Sequence, residues 1–212
     1  SISEMLMSHH ADVNAKNKGG MTPLHLAVQK QHGQLVKCLV DGGSNVNEPF
    51  PDGSSPLHVA CSYDDENKAV SISEVLIPRH ADVNAKNKEG MTPLHLAIQK
   101  HHDKLVKCLV DGGSNVNELF PDGNSPLHVA CSYDDESKAV SISEMLMSHH
   151  ADVNAKNKGG MTPLHLAVQK QHGQLVKCLV DGGSNVNEPF PDGSSPLHVA
   201  CSYDDENKAV SI

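Results

Sequence analysis

Repetition constrains this sequence more than any other feature. Residues 1–70 recur without change as residues 141–210, and the intervening residues 71–140 differ from them at only 12 positions. A weaker repeat lies inside each copy, since MTPLHLA at residues 21–27 returns as SSPLHVA 33 positions later, and the next MTPLHLA follows after a further 37. A period of 33 to 37 residues indicates a stack of short supersecondary units, each of which buries its apolar face only against its neighbours.

The shorter unit contains residues typical of the starts and ends of two helices. Thr22 followed by Pro23 predicts the start of a first helix, because threonine caps free amide groups and proline is tolerated at the first helical position. A second helix, with apolar residues at helical spacing, is predicted from about Gly33 to Gly42. The segments between units are rich in Asn, Gly, Asp and Pro, which indicates tight turns or short hairpins.

The longer unit differs in its turn and in its helix ends. Its first helix is predicted to begin at Ser55-Pro56, and the four extra residues lengthen the turn around Asp64–Glu66. After its second helix, the place of the glycine found in the shorter unit is taken by His10, His80 and His150. We expect these histidines to have positive φ, which costs some strain in a residue with a side chain.

The motifs TPLHLA, LVKCLVDGGSNVN and ADVNA resemble the ankyrin repeat, a turn followed by two antiparallel helices. The resemblance extends over essentially all 212 residues and implies an all-α ankyrin-repeat solenoid of stacked helix-turn-helix units with short hairpin loops. It implies a single array over residues 1–212, with partial repeats at residues 1–16 and 190–212. The five complete repeats are expected at residues 17–49, 50–86, 87–119, 120–156 and 157–189.

Charge and composition narrow the class of partner. The net charge is -9, from 17 Lys and Arg against 26 Asp and Glu, which argues against nucleic acid, since phosphate contacts need clustered basic side chains. No apolar run reaches the roughly 18 to 20 residues that a membrane span needs, so we expect a soluble chain. Six cysteines without a dense disulfide pattern, and no Asn-x-Ser/Thr sequence, favour an intracellular, cytoplasmic setting. A protein partner is predicted.

An enzyme is not predicted, and neither is a cofactor. The sequence has no phosphate-binding glycine loop, dinucleotide motif, HExxH or Gly-x-Ser-x-Gly. A histidine stands fourth in every TPLH or SPLH motif, and the resemblance implies that its imidazole links the Thr or Ser hydroxyl to neighbouring backbone. His58 and Cys61 offer at most two ligands on one helix, which do not make a metal site. The cysteines of the Cys38 type are expected on a packed face, as slowly reacting thiols.

The resemblance places the binding surface at the hairpin tips and on the exposed face of the first helices. Replacing the tyrosines of this set with Ala is expected to weaken binding without changing the helix content. The exposed methionines suit a binding surface, and packing between neighbouring hairpins is an equal alternative. The implied contact residues are Lys18, Met21, Gln29, Lys30, Asp52, Ser62, Tyr63, Lys88, Met91, Gln99, Lys100, Asp122, Ser132, Tyr133, Lys158, Met161, Gln169, Lys170 and Tyr203.

Two further expectations concern charge and modification. The acidic triplets at residues 64–66, 134–136 and 204–206 are predicted to be solvated turns, with contact to a basic partner as the alternative. Asn14, Asn84 and Asn154 are predicted to be structural residues of the hairpins, and their resemblance to the ankyrin substrates of asparaginyl hydroxylases implies hydroxylation as the alternative.

The alternative to a binding scaffold is a structural or self-assembling array. Both ends repeat interior sequence and lack a polar cap. We therefore expect either head-to-tail stacking or a window on a longer array.

Overall fold

The computed structural model describes residues 2–203, which form α-helices, one 3-10 helix and no β-strand. The all-α fold of paired helices expected from the repeats is confirmed. The chain divides into two compact units, Ser1–Ser114 (unit 1) and Asn115–Ile212 (unit 2). The acidic triplet at residues 204–206 and the end of the last partial repeat lie outside the described residues, and the limits of the repeats remain a prediction.

The helices alternate between short first helices and longer second helices. Unit 1 contains α1 (Ile2–Ser8), α2 (Pro23–Gln29), α3 (Gly33–Asp41), α4 (Pro56–Cys61), α5 (Glu66–Leu76), a 3-10 helix (Ile77–Arg79), α6 (Pro93–Gln99) and α7 (Asp103–Asp111). Unit 2 contains α8 (Pro126–Cys131), α9 (Glu136–Ser148), α10 (Pro163–Gln169), α11 (Gly173–Asp181) and α12 (Pro196–Cys201).

Each unit is built from two layers of helices. In unit 1 the first helices α2, α4 and α6 stack in one layer, and the second helices α3, α5 and α7 stack in the other. In unit 2, α8, α10 and α12 form the first layer and α9 packs on α11 in the second. The space between the layers holds fully buried aliphatic side chains, including Leu57, Ile72 and Leu94 in unit 1. Every helix is too short to be stable alone, so this packing supplies most of the stability.

The first helices begin as predicted, with a capping residue followed by proline. Thr22 Oγ1 accepts a hydrogen bond from the His25 amide at 3.3 Å, and His25 Nδ1 accepts one from the Thr22 amide at 3.1 Å. The two bonds form a reciprocal capping box, with histidine where glutamate is more usual. The same box recurs at all six first helices.

The turns that connect the repeats contain paired hydrogen bonds but no strands in the described part of the chain. The Asn17 amide donates to the Met21 carbonyl at 3.0 Å, and the Gly20 amide donates back to the Asn17 carbonyl at 2.9 Å. Gly20 has a φ of 77°, a conformation that glycine adopts at little cost.

The ends of the second helices confirm the prediction for the histidines. Gly43 follows α3 with a φ of 91°, and His10, His80 and His150 have φ values of 62°, 65° and 68°. Histidine therefore adopts the left-handed conformation in alternate repeats, at some cost in strain. The end of α5 also differs from that of α9, because Pro78 lacks an amide hydrogen and the last turn tightens into the 3-10 helix.

Candidate interaction surface

His58 and His128, in the first helices of the longer repeats, join consecutive repeats. His58 Nδ1 accepts from the Ser55 amide at 3.1 Å, so the ring hydrogen lies on Nε2, which donates to the Met91 carbonyl at 2.9 Å. His128 makes the same contact with the Met161 carbonyl, also at 2.9 Å. In the shorter repeats the acceptor is Glu48 for His25 and Glu188 for His165. The linking role implied by the resemblance is confirmed.

Burial decides the protonation of two of these histidines. It lowers the pKa of His58 and His128 below the ordinary value of 6.5, and the hydrogen bonds to the Met91 and Met161 carbonyls oppose the shift only partly. A second ring proton on His58 would also point Nδ1–H at the Ser55 amide, which is itself a donor. The folded chain therefore holds these rings in the neutral form.

We expect the chain to lose stability on mild acidification. Below an ordinary pKa of 6.5 the unfolded chain binds protons at these histidines, whereas the folded chain resists protonation until the pH reaches the lowered value. Stability is therefore complete above pH 6.5 and falls as the pH decreases below it. The denaturant midpoint should decrease between about pH 7.5 and about pH 5.0, a range above the titration of most carboxylates. A flat profile would contradict the neutral assignment.

Most of the predicted contact residues are exposed, at the hairpin tips or at the ends of the first helices. Gln29 and Lys30, for example, end α2, and Ser62 follows α4. The exposed set consists of Lys18, Gln29, Lys30, Asp52, Ser62, Lys88, Gln99, Lys100, Asp122, Ser132, Lys158, Gln169 and Lys170.

The tyrosines are not part of that surface, and the prediction that placed them there is wrong. Tyr63 is 6% exposed and Tyr133 is 4% exposed. The Tyr63 hydroxyl donates to the Val28 carbonyl of the preceding repeat, and the half-buried Tyr203 makes the same bond to the Val168 carbonyl. Burial raises the pKa of Tyr63. The side chain therefore lies against α2, the preceding first helix.

The methionines also lie closer to the interior than an exposed face requires. Met91 is 6% exposed, while Met21 and Met161 are half-buried. The Met91 and Met161 carbonyls accept the bonds from His58 and His128. Of the two alternatives, packing between hairpins holds for Met91, and its assignment to an exposed binding face is wrong.

Several exposed lysines already contact the preceding repeat. Lys88 Nζ donates to the Pro51 carbonyl at 2.9 Å, and Lys158 Nζ donates to the Pro121 carbonyl at 2.8 Å. The Lys88 stem lies over Gly53, where an added Cβ would meet Lys88 Cγ at 2.8 Å. Gly53, and likewise Gly123 beside Lys158, therefore leaves room for the lysine of the next repeat.

A ladder of asparagine side chains, which sequence reasoning missed, connects consecutive turns. Asn14 Nδ2 donates to the Gly43 carbonyl at 3.3 Å, and Asn14 Oδ1 accepts from the Asn45 amide at 2.8 Å. Asn47 continues the ladder, since it donates to the His80 carbonyl and accepts from the Asp82 amide, both at 2.8 Å. The signal was the recurrence of asparagine at every ADVN and SNVN turn. Asn84 and Asn154 make the corresponding bonds to the Gly113 and Gly183 carbonyls.

The cysteines occupy three environments, and Cys201 is the exposed one. Cys61 and Cys131 are fully buried, and burial raises the pKa of the Cys131 thiol to about 12. Cys38, Cys108 and Cys178 are half-buried, so the expectation of a packed face fits Cys61 better than Cys38. All six thiols are free. Within residues 2–203 no group of three or more His, Cys, Asp or Glu side chains is arranged to hold a metal ion.

The length and apolar character of the helices bear on membrane insertion. Over the same described residues, no helix has the length and apolar character needed to cross a bilayer.

Comparison with known proteins identifies the repeats. The family model for ankyrin repeats (3 copies) matches residues 1–72, 65–157 and 136–212. Human Rabankyrin-5 is 34% identical over 176 residues, 81% of this chain and 14% of that protein. The mouse B-cell lymphoma 3 protein homolog is 28% identical over 190 residues, 89% of this chain and 42% of that protein.

A third relative is similar over most of its own length. The probable 26S proteasome regulatory subunit p28 of Saccharomyces cerevisiae is 30% identical over 184 residues, 85% of this chain and 78% of that protein. The chain spans less than half of Rabankyrin-5 and of the mouse homolog. Because the family model matches the chain from residue 1 to residue 212, and two of these relatives are at least 30% identical over most of it, the chain belongs to the ankyrin-repeat family.

Proposed function

We propose that this chain is a non-enzymatic scaffold that binds a protein partner through its hairpin tips and the exposed ends of its first helices. Ankyrin repeats generally mediate protein–protein interaction and are generally not catalytic. The observation that carries the proposal is the recurrence, in each 70-residue repeat, of exposed polar residues that the packing does not need. Gln29, Gln99 and Gln169 are the clearest examples, each at the end of a first helix.

The chemistry of this surface favours an extended or repetitive partner. Lysine-bearing tips at Lys18, Lys88 and Lys158 alternate along the sequence with acidic tips at Asp52 and Asp122. The charges therefore alternate in sign, and the same pattern returns every 70 residues. A partner that engages more than one repeat would match this period, whereas a compact partner would use only part of the surface. An intracellular location belongs to the same proposal.

The test compares glutamine-to-alanine substitutions at two places, the ends of the first helices and the starts of the second helices. A partner is first identified by crosslinking mass spectrometry, and its affinity is then measured for Gln29→Ala combined with Gln99→Ala and Gln169→Ala. We expect binding to weaken by about tenfold, the effect of losing central contacts. The matched control is Gln34→Ala with Gln174→Ala, exposed glutamines at the start of second helices. Equal effects of the two variants would exclude this surface.

Self-association is the second candidate, favoured by exposed apolar residues in the first and last described helices. Ile2 is 79% exposed on α1 and Leu197 is 70% exposed on α12. Their equivalents Ile142 and Leu127 are 0% and 1% exposed. One copy of the 212-residue chain can therefore offer α12 to α1 of the next. Light scattering over a concentration series tests this contact, and a 22.7 kDa monomer at all concentrations would exclude it.

Hydroxylation of Asn14, Asn84 and Asn154 also stays a proposal. Their side chains are exposed, although their amides bond to the next turn. A mass increase of one oxygen in peptides that contain these residues would support it. Unmodified peptides from cells that contain an asparaginyl hydroxylase would exclude it.

A further inference from the structure

The four-residue insertion of the longer repeat contacts the repeat that follows it. Asp64 Oδ1 lies 2.6 Å from Lys100 Nζ, just beyond the end of α6. Two residues later, Glu66 Oε1 accepts a hydrogen bond from the Lys104 amide, in the first turn of α7, at 2.7 Å. One acidic turn therefore holds both helices of the next hairpin.

The same contacts recur 70 residues later. Asp134 lies 2.5 Å from Lys170 Nζ, and Glu136 Oε1 accepts from the Gln174 amide at 2.7 Å. Glu136 also reaches the Leu175 amide at 3.4 Å. The repetition holds although Lys104 and Gln174 are different residues, because the bond is made by the backbone amide.

Helices α7 and α11, whose first amides bond to Glu66 and Glu136, have no side-chain cap from the residue that precedes them. The residue before α7 is His102 and the residue before α11 is His172, and neither side chain bonds to the helix amides. The first amides of a helix need acceptors, and a carboxylate there also interacts favourably with the helix dipole. Glu66 and Glu136 supply that acceptor from the neighbouring repeat.

The junction on the other side of the longer repeat is built differently. Asp65 caps α5 within its own repeat, and the charged contact back toward α3 is made elsewhere, by Arg79 Nη2, which lies 2.6 Å from Asp41 Oδ1. Between α3 and α5 lies a cleft of about 530 Å3, lined by Gln31, Gly33, Asn67 and Ser71 among others. In the described residues α3 also has no side-chain cap.

We infer that the acidic turn of each longer repeat clamps the hairpin of the shorter repeat after it, so that this hairpin does not open independently. The clamp accounts for a structural period of 70 residues within an array of 33- and 37-residue repeats. It also keeps the exposed ends of α4 and α6 at a fixed spacing, whatever partner the surface binds.

Hydrogen exchange of the whole chain tests the inference. The variant is Asp64→Ala with Glu66→Ala, which leaves the Asp65 cap of α5 in place. We expect amides throughout α6 and α7 to exchange about three- to tenfold faster, because loss of the clamp lets the hairpin open as a unit. Amides of α3 and of the later turns of α5 should keep their rates, which also shows that the variant is folded.

The control is Glu89→Ala, which removes one negative charge, against two in the variant, at an exposed hairpin tip. It should leave α6 and α7 unchanged. Two results would overturn the inference. One is faster exchange at the first turn of α7 alone, which would make Glu66 a local cap. The other is an equal response to Glu89→Ala, which would make the effect one of net charge.

Discussion

Replacement of Tyr63 by Ala is expected to lower the free energy of unfolding of unit 1 by about 3 to 5 kcal/mol. The ring is 6% exposed, and the hydroxyl donates to the Val28 carbonyl of the preceding repeat. Truncation leaves a cavity between two repeats and removes the hydrogen bond to that carbonyl. The denaturant midpoint, followed by circular dichroism at the helical band, measures the loss.

The control for this prediction is Tyr63→Phe, which keeps the ring and removes only the hydroxyl. It should cost about 1 kcal/mol, the usual net value of one hydrogen bond. Unchanged stability of Tyr63→Ala together with weaker partner binding would contradict the buried placement. That outcome is the one expected of a residue on the binding surface.

Replacement of His58 by Ala is expected to lower the stability of unit 1 by about 2 to 4 kcal/mol. The variant loses the acceptor for the Ser55 amide and the donor to the Met91 carbonyl, and the ring it removes is 1% exposed. Because both backbone groups are left unpaired in the interior, the cost exceeds that of an exposed histidine. The measurement is again the denaturant midpoint.

An exposed histidine provides the comparison for His58. His9 lies at the end of α1 and is exposed, so His9→Ala should change stability by less than about 0.5 kcal/mol. The pH profile gives a second readout, since His58→Ala should also reduce the loss of stability below pH 6.5. A cost for His58→Ala no larger than for His9→Ala would show that the link between repeats is dispensable.

The local features of the fold could be predicted because local chemistry determines them. Thr22 and Pro23 set the start of α2 through a capping bond and a fixed φ, and no other part of the chain is needed. Gly43 and His80 take a left-handed conformation because a helix must end there. The repeat period can be seen in the sequence itself, and together with the repeated motifs it indicates the family.

The burial of a side chain and the identity of its hydrogen-bond partner depend on residues one repeat away, and only the tertiary structure decided them. Tyr63 was expected on the surface because the resemblance places it on the exposed face of a first helix, yet its hydroxyl bonds to the carbonyl of Val28, 35 residues earlier. Glu66 was expected in a solvated turn, yet its carboxylate binds the Lys104 amide, 38 residues later. In a stack of repeats each unit buries its faces against its neighbours. The sequence by itself therefore determined which helices form and where they begin, whereas packing between repeats determined which side chains remained free to bind a partner.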